Sequence, residues 1–328
     1  MVSASQDEIT FPRVGMAFKH ATHKWKVERC LYTGPFSDVF VLIDAEKPNR
    51  KFAMKVERVK DIVRPVLKLD ALVLPQMNGS RGFPEVVASG RTPTFKYLVM
   101  QLVGPDLAKL KSIMPMDKFS FATSLNVALQ SLTLLESLHD AGWLCRDVKA
   151  PNFAIGRGED SKTVYMLDFG FARRFKTRDN KERLPPRQSA ACLGTFIYAS
   201  IATLTMREQC PRDDLESWFY MLVEELPYRS ILEYKQHIRM AGYREFFAQL
   251  PPQFKDIMRS IDSIGFYDHP DYELLRYLVV QAAHHLQADL NEPLDWVKHP
   301  MYYEKAANLV DSDVPESQIG GGDKIVQT

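Results

Sequence analysis

The residue pattern of this chain changes near residue 105, from short strand-like segments to longer helical ones. Before that point, turn residues separate five segments rich in β-branched and aromatic residues, which are WKVERCLY, SDVFVLIDA, RKFAMKVERV, FPEVVASG and KYLVMQLV. After it, apolar residues recur every three or four positions. In FATSLNVALQSLTLLESLHDAG the spacing predicts one helix face carrying Leu125, Leu129, Leu132, Leu135 and Leu138. A strand-rich part followed by a helical part predicts an α+β protein.

One helix is expected within the strand-rich part, in RPVLKLDALVLPQM, where Pro65 suits a first helical turn. RDDLESWFYMLVEEL and YELLRYLVVQAAHHL predict two further helices in the second part. The end of the chain, DSDVPESQIGGGDKIVQT, is polar and glycine-rich and predicts a flexible tail.

Composition excludes several classes of protein. A length of 328 residues favours two domains or one unit of two lobes. The net charge of +1 gives no case for a nucleic-acid or membrane surface, and no apolar run approaches the roughly 20 residues that span a bilayer. The four cysteines stand far apart, which predicts neither a zinc site nor a disulfide framework. Because the start MVSASQDEITF lacks the features of a signal peptide, we expect a cytoplasmic protein, with entry to the nucleus left open.

The segment CRDVKAPN carries an acid, a lysine and an amide close together, at Asp147, Lys149 and Asn152. It follows the leucine-rich helix. On its own it fits either a catalytic loop or a polar turn, because Asp, Lys, Pro and Asn are ordinary loop residues.

Two further motifs decide between these interpretations. VYMLDFGFARRF is an apolar run that ends in Asp168, Phe169 and Gly170, and FAMKVE places Lys55 in the middle of an apolar strand. A lone lysine in such a strand usually extends its amine to the surface. The order of Lys55, then CRDVKAPN, then Asp168-Phe169-Gly170, however, matches the signature set of protein kinases.

The chemistry of phosphoryl transfer explains these residue types. Catalysis there consists of positioning a polyanion, its magnesium ions and an acceptor hydroxyl. Lys55 would bind the α- and β-phosphates of ATP, and Asp168 and Asn152 would offer oxygen ligands to Mg²⁺. Asp147 would take the proton of the attacking hydroxyl, and Lys149 would offset the charge of the transferred group. The spacing D-x-K-x-x-N resembles that of serine/threonine kinases.

Longer segments narrow the resemblance to one superfamily. They are KVE, YLVMQLVGPDLAKL, CRDVKAPNFAIGR, YMLDFGFARRF, LGTFIYASI and RDDLESWFYMLVEELPYR. They resemble the casein kinase 1 superfamily from about Trp25 to about Pro300, and most of all its tau-tubulin kinase-like branch, whose divergent members are abundant in nematodes. YASI, at Tyr198 to Ile201, stands where most protein kinases carry Ala-Pro-Glu.

The resemblance implies a two-lobed protein kinase fold. A five-stranded antiparallel N-lobe with one main helix is expected over about 25–102, and a mainly helical C-lobe over about 103–300, with a hinge near 101–105 and ATP between the lobes. Residues 1–24 are expected to be an N-terminal extension and 301–328 a tail. The implied activity is Mg²⁺-dependent transfer of the γ-phosphate of ATP to protein serine and threonine hydroxyls, by a monomer.

The resemblance also assigns roles in nucleotide binding. Val39 and Ala53 would cover the adenine, Met100 would be the gatekeeper, and the backbone of Gln101 to Val103 would pair with the adenine edge. These are equally ordinary core residue types. Asp214 would hold the backbone of the catalytic loop, and Thr195 is expected to support the loop near Asp147 and Lys149.

Two departures from the family pattern bear on ATP binding. In the glycine-rich loop, here YTGPFS, Tyr32 and Ser37 replace the outer glycines, only Gly34 remains, and Pro35 has no N–H to offer a phosphate. Asp70 stands where the family has the glutamate that pairs with the strand lysine. Because aspartate is one methylene shorter, either the helix must move inward or the pair must be weaker.

The region after Gly170 bears on substrate preference. RRFKTRDNKERLPPR contains seven basic residues, which either form a surface for acidic substrates or are simply solvated. Ile197 replaces the family's arginine before YAS, which argues against recognition of an already phosphorylated site. The alternative to an active kinase is a kinase-shaped binding scaffold, because a fold does not fix a function. The degraded glycine loop and Asp70 favour that alternative, whereas the presence of Asp147 and Asp168 opposes it.

Overall fold

The computed structural model describes residues 11–59, 64–223, 235–240, 242–248 and 250–311. The chain divides into two compact units. The first consists of Met1–Val103 together with Asp168–Gly170, and the second of Gly104–Leu167 together with Phe171–Thr328. The first unit is built on a sheet and the second is mainly helical, so the α+β, two-lobed fold class is confirmed. The change of unit between Val103 and Gly104 coincides with the change in residue pattern.

The first unit contains an antiparallel sheet with six strands among its described residues, in the order β1-β2-β3-β4-β6-β5. Their bounds are β1 Ala17–His20, β2 His23–Thr33, β3 Asp38–Asp44, β4 Lys51–Arg58, β5 Val86–Arg91 and β6 Phe95–Gln101. The five expected strands are β2 to β6.

The prediction of five strands was wrong by one, because it missed β1. This strand pairs with the start of β2 through a tight turn, in which Ala21 has a φ of 49°. Only Phe18 of its four residues is buried, so the alternation that marks a half-buried strand rests on one side chain. The stretch 1–24, expected to be an extension, therefore contributes β1 and the first residues of β2 to this sheet.

The two faces of the sheet carry different residues. One face packs around Trp25, which is 1% exposed and stacks on Phe18 with ring centroids 6.0 Å apart. On β4 this face takes Phe52, Met54 and Val56. Because successive side chains of a strand alternate, the opposite face of β4 carries Ala53, Lys55 and Glu57.

Helix α1, Leu67–Val73, continues directly into a 3₁₀ turn, Leu74–Met77. The expected helix therefore exists, but Pro65 lies before its N-cap residue, Val66, rather than in its first turn. Asp70 is on the buried side of α1, together with Leu67 and Val73.

The second unit contains α2 Leu107–Ser112, α3 Phe121–Asp140, α4 Ile201–Leu204 and α5 Pro211–Leu222. Further helices follow at Tyr243–Phe246, Pro252–Ser263, Tyr272–His285, Asp295–Lys298 and Pro300–Asp311. Two small antiparallel pairs join β7 Trp143–Leu144 to β10 Arg173–Arg174, and β8 Phe153–Ile155 to β9 Val164–Met166. Short 3₁₀ turns lie at Pro115–Asp117, Ala150–Asn152 and Gly158–Asp160.

Helix α3 leads through β7 into the segment CRDVKAPN. It begins after Ser120, whose hydroxyl accepts the N–H of Thr123 at 3.2 Å and so caps the helix. Of its predicted leucine face, Leu125, Leu132, Leu135 and Leu138 are buried, whereas Leu129 is half-buried. Gly142 ends the helix with a φ of 84°, and the chain then enters β7 and the loop that holds Asp147.

The end of the chain is more ordered than expected up to Asp311. The stretch 301–328 was predicted to be a tail, but helix Pro300–Asp311 occupies its first part, with Ala306 fully buried. PMYYEKAANLV places proline at the start and good helix formers after it. The remainder, 312–328, lies outside the described residues. Over the part of the chain that the structure describes, no helix combines the length and the apolar character that crossing a membrane requires.

Candidate active site

In the first unit, Lys55 of β4 forms ion pairs with two carboxylates. Its Nζ lies 2.7 Å from Oδ2 of Asp70 and 2.9 Å from Oδ1 of Asp168. Lys55 is 6% exposed, so it does not extend its amine to the surface. Burial alone would lower the pKa of Lys55, but the charges of Asp168 and Asp70 outweigh it and hold this pKa above its ordinary value. The amine is therefore a cation at neutral pH.

Asp70 uses both oxygens of its carboxylate. Oδ2 pairs with Lys55, and Oδ1 accepts the backbone N–H of Phe169 at 2.8 Å. The shorter acid was expected to need an inward position of the helix or to give a weaker pair, and the structure shows the pair formed at an ordinary short distance. Asp70 thereby also holds the backbone next to Asp168.

Asp168 has a backbone conformation that is uncommon for residues other than glycine, with a φ of 58°. Its Oδ1 accepts from Lys55 and, at 3.2 Å, from the N–H of Gly170. Its side chain is 33% exposed, whereas that of Lys55 is 8% exposed. The carboxylate of Asp168 thus reaches the surface of this unit, while Lys55 lies beneath it.

In the second unit, Asp147, Lys149, Asn152 and Thr195 form one buried polar network. Lys149 Nζ lies 2.9 Å from Oδ2 of Asp147 and donates to Oγ1 of Thr195 at 2.7 Å. Thr195 in turn donates to Oδ1 of Asp147 at 2.9 Å. Nδ2 of Asn152 donates to the backbone carbonyl of Asp147 at 2.8 Å and to its Oδ2 at 3.1 Å. The orientation of the Asp147 carboxylate is therefore fixed at both oxygens, and Thr195 supports this loop as the sequence predicts.

Asp214, in the first turn of α5, holds the backbone that leads to Asp147. Its Oδ2 accepts the N–H of Cys145 at 2.7 Å, and its Oδ1 accepts that of Arg146 at 2.8 Å. Arg146 adopts a φ of 64°, a conformation that these bonds stabilise. The resemblance to casein kinase 1 relatives implies this role for Asp214.

His139, near the end of α3, adds a partner that the sequence did not indicate. Its Nε2 lies 2.9 Å from Oδ2 of Asp214, and its Nδ1 forms a short hydrogen bond with the hydroxyl of Tyr272. These residues are separated by 75 and 133 positions along the chain. No local pattern connects them.

Gly194 is a further residue that sequence reasoning passed over. It has a φ of 103°, and a Cβ at this position would lie 2.6 Å from the carbonyl oxygen of Arg146 and 3.4 Å from Oδ1 of Asp147. Only glycine satisfies both the left-handed backbone and the close approach. Its position directly before Thr195, in LGTF, is the sequence feature that could have drawn attention to it.

The residues assigned to the adenine lie together on the Lys55 face of the sheet. Val39, Ala53 and Met100 pack in one cluster with Val41 and Leu102. The N–H of Gln101 already donates to the carbonyl of Glu85 at 2.8 Å. Any backbone pairing with a base must therefore use the carbonyl of Gln101 or the residues that follow it, up to Val103.

The glycine-rich loop forms a tight turn between the end of β2 and the start of β3. Thr33 faces Asp38 across the strand pair, and the N–H of Gly34 donates to the carbonyl of Ser37 at 3.2 Å. A Cβ on Gly34 would lie 2.4 Å from the hydroxyl of Tyr32. The Tyr32 ring therefore packs against Gly34, where it leaves no room for a side chain.

Most arginines of the basic segment are engaged within the second unit. Arg173 and Arg187 both pair with Glu208, which is 9% exposed. Arg174 donates to the carbonyls of Thr177 and Arg178, and Arg183 donates to those of Phe266 and Asp268. These four side chains therefore shape the segment itself.

The donor set fits magnesium better than a metal held by protein alone. Among the residues that the structure describes, no three His, Cys, Asp or Glu side chains cluster tightly enough to hold a metal ion. Mg²⁺ is usually bound by one or two oxygen ligands of the protein together with phosphates and water. Asp168 has a partly exposed carboxylate, and both bonds of the Asn152 amide use Nδ2 rather than its oxygen. Both side chains fit that role, each within its own unit.

Known proteins match this chain over most of its length. Residues 7–225 match a family described as fungal protein kinase. The chain is 47% identical over 321 residues to the serine/threonine-protein kinase spe-6 of Caenorhabditis elegans, which covers 93% of this chain and 84% of that protein. It is 33% identical over 281 residues to a probable serine/threonine-protein kinase of Dictyostelium discoideum, covering 83% of this chain and 56% of that protein. A casein kinase I homolog of Kluyveromyces lactis is 32% identical over 289 residues, covering 84% of this chain and 53% of that protein.

The family match covers more than half of the chain, and the polar groups described above contain the signature residues Lys55, Asp147, Asn152 and Asp168. The chain therefore belongs to the protein kinase family, as a kinase of the serine/threonine type.

Proposed function

We propose that this kinase transfers the γ-phosphoryl group of ATP to serine and threonine hydroxyls of proteins, with Asp147 as the catalytic base. The observation that carries the proposal is the buried network in which Thr195 and Asn152 fix both oxygens of the Asp147 carboxylate. A base that is held in one orientation lowers the cost of reaching the reactive geometry.

In the proposed reaction, the acceptor oxygen forms a bond to the γ-phosphorus while the bond to the β,γ-bridging oxygen breaks, and ADP leaves. The proton of the acceptor hydroxyl passes to Asp147. Lys149, which is 7% exposed and lies 2.9 Å from Asp147, offsets negative charge on the transferred group. In this buried setting its charge acts more strongly than in water.

Lys55 binds the phosphates of ATP in this proposal. Its charge is permanent at neutral pH, and Asp70 fixes its amine at 2.7 Å. Asp168 and Asn152 are the residues that would hold magnesium, which protein kinases generally use to neutralise phosphate charge. Asp70 and Gly170 set the backbone and side chain of Asp168 for this purpose.

Membership of the tau-tubulin kinase-like branch is part of the proposal. YASI at Tyr198 to Ile201 supports it, as does the similarity to a casein kinase I homolog. We further propose a preference for acidic substrates, which rests on Lys176, Arg178 and Lys181, because the arginines described above are engaged within the unit. Arg178 and Lys181 are exposed. Ile197, which is 50% exposed, offers no charge to a phosphorylated substrate residue.

Substrate preference can be tested with three peptides that share one acceptor serine and differ in flanking acidic, neutral or phosphorylated residues. We expect the acidic peptide to have the highest kcat/KM, and a charge reversal at Arg178 and Lys181 to remove that advantage. Equal rates with the acidic and neutral peptides would contradict the preference while leaving the catalytic proposal intact.

The activity itself is tested by transfer of labelled γ-phosphate from Mg-ATP to casein, comparing the purified protein with Asp147→Asn. We expect incorporation by the wild type and a loss of about 10²- to 10⁴-fold in the variant. Incorporation that is equal in both would exclude Asp147 as the base. Silence of both, with no thermal shift on adding Mg-ATP, would favour a binding scaffold instead.

A further inference from the structure

Glu57 is a fully buried acid on β4, two residues after Lys55. Because strand side chains alternate, Glu57 and Lys55 lie on the same face of this strand. A buried carboxylate is costly unless it is paired and hydrogen-bonded. Its partners therefore indicate what the residue does.

One oxygen of Glu57 is bound by the start of helix α1. Its Oε2 accepts the backbone N–H groups of Val66 at 2.7 Å and of Leu67 at 3.0 Å. Val66 is the N-cap residue of α1 and has no side-chain oxygen to cap the helix itself. Glu57 supplies from β4 the acceptor that a local serine or aspartate would otherwise provide.

The other oxygen is bound by Lys96. Its Nζ lies 2.8 Å from Oε1 of Glu57, and the two residues face each other directly across β4 and β6. Lys96 is 32% exposed at its side chain, whereas Glu57 is not exposed at all. The ion pair compensates the buried charge and holds the carboxylate on this face of the sheet.

The amides that Glu57 binds lie one helical turn from Asp70. Asp70 pairs with Lys55 and accepts the N–H of Phe169. The start of α1, Asp70 and Lys55 thus form one chain of contacts that begins and ends on β4, at Glu57 and Lys55. A shift of α1 along or away from β4 would change the distance between Lys55 and Asp70.

We propose that Glu57 is a positioning residue for the phosphate-binding lysine, acting through α1 and Asp70. Its carboxylate sets where α1 begins relative to β4, and Asp70 is thereby placed to hold both Lys55 and the backbone beside Asp168. The catalytic part of this proposal rests on the proposed function. The structural part does not.

The structural part is tested by hydrogen exchange at single amides, comparing the wild type with Glu57→Gln. Glutamine keeps the shape but cannot pair with Lys96 through a charge. We expect faster exchange of Val66 and Leu67 and also of Phe169, which lies 99 positions from Asp70 in the chain. Rapid exchange of Val66 and Leu67 in the wild type, or an effect of Glu57→Gln on these two amides that leaves Phe169 unchanged, would overturn the proposal. This readout requires no enzymatic activity.

The matched control is Glu28→Gln, which removes another cross-strand ion pair of the same sheet, to Lys51 at 2.7 Å. Glu28 contacts neither α1 nor Asp70 in any of the bonds described above. We expect it to leave the exchange of Phe169 and the kcat/KM for ATP unchanged.

The catalytic part is tested with Glu57→Gln, Asp70→Asn and the double variant. We expect Glu57→Gln to lower kcat/KM for ATP about 10-fold through misplacement of Lys55. The double variant should be no slower than Asp70→Asn alone, because both changes break the same chain of contacts. Losses that multiply would show that Glu57 acts independently of Asp70. Absence of transfer by the wild type would reject the proposed function, and the exchange at Phe169 would still decide the role of Glu57.

Discussion

Nζ of Lys55 lies 2.7 Å from Oδ2 of Asp70, although Asp70 is one methylene shorter than the glutamate that the family carries at this position. Both oxygens of Asp70 are engaged, since Oδ1 accepts the N–H of Phe169. Asp70 is 1% exposed, so its surroundings leave little room for a longer side chain. The departure from the family pattern therefore leaves the ion pair with Lys55 in place.

Restoring the family residue should not improve the enzyme. In Asp70→Glu the additional methylene enters a buried site, where overpacking costs about 1–3 kcal/mol of folding free energy. We expect a lower melting temperature and a kcat/KM for ATP at or below that of the wild type. Asp70→Asn should lower kcat/KM by about 10- to 100-fold, because it removes the charge that fixes Lys55. A faster Asp70→Glu enzyme would show that the pair with Asp70 is a weakened one.

A substitution of Thr195 tests whether the orientation of Asp147, the proposed catalytic base, depends on its hydrogen bonds. Thr195→Val keeps the shape of the side chain but removes the hydroxyl that joins Lys149 to Asp147. Leaving buried polar groups without this partner costs about 1–3 kcal/mol, so we expect kcat to fall about 10- to 100-fold with little change in the KM for ATP. Thr195→Ser should recover most of the rate.

The control for that series is Thr133→Val. The hydroxyl of Thr133 bonds only to the carbonyl of Leu129 on the exposed side of α3 among the bonds that the structure describes. It should leave kcat unchanged. If Thr195→Val matched the wild type, the orientation of Asp147 would not depend on this hydroxyl.

Gly194→Ala should inactivate the enzyme by displacing the catalytic loop. The new Cβ would lie 2.6 Å from the carbonyl oxygen of Arg146, too close for two heavy atoms to remain in place. A displacement of about 1 Å can cost about 100-fold in rate, and we expect a loss of that size in kcat. Lys55 and its two carboxylates belong to the other unit, so the KM for ATP should change little.

Gly158→Ala provides the comparison for Gly194. Gly158 also has a left-handed backbone, with a φ of 58°, but nothing lies within 4 Å of its added Cβ. It should show the cost of backbone strain, about 1–2 kcal/mol, without a loss of kcat. Equal rates in the two variants would mean that the contact with Arg146 has no catalytic consequence.

The features that could be predicted from sequence are those with a short-range signal. The strands β2 to β6 and helix α3 follow from alternation and from the leucine spacing. Lys55, Asp147 and Asp168 follow from motif order. These signals are local, or depend on a fixed order along the chain, so one sequence is sufficient to detect them.

The remaining features depend on contacts between distant segments. In the sequence, Glu57 is an ordinary charged residue near the end of a strand. Only the fold shows that its carboxylate accepts the amides at the start of α1. His139 likewise gains its role from Asp214 and Tyr272, which lie far along the chain. Strand β1 was missed because a single buried side chain gives no period.

Asp213 is the third residue of α5. Because its pKa is raised, we expect the free energy of unfolding to depend on pH in an unusual way. Burial raises its pKa to about 6, although the N–H of Cys210 donates to its Oδ2 at 2.8 Å and opposes this shift. The ordinary pKa of such a group is 3.8. Between about pH 4 and pH 6 the folded state therefore binds a proton that the unfolded state does not.

The contribution of Asp213 to the free energy of unfolding consequently falls as pH rises through this window, and the loss is complete above pH 6. Two pKa units correspond to at most about 3 kcal/mol. Asp213→Asn cannot ionise, and its side-chain oxygen can still accept the N–H of Cys210. We expect it to be more stable than the wild type at pH 7.5, and its advantage to shrink or disappear at pH 4.5. Urea unfolding of both proteins at the two pH values measures this difference, with Asp256→Asn, whose side chain is 55% exposed, as the control. An advantage of the same size at both pH values would show that Asp213 is ionised throughout this range.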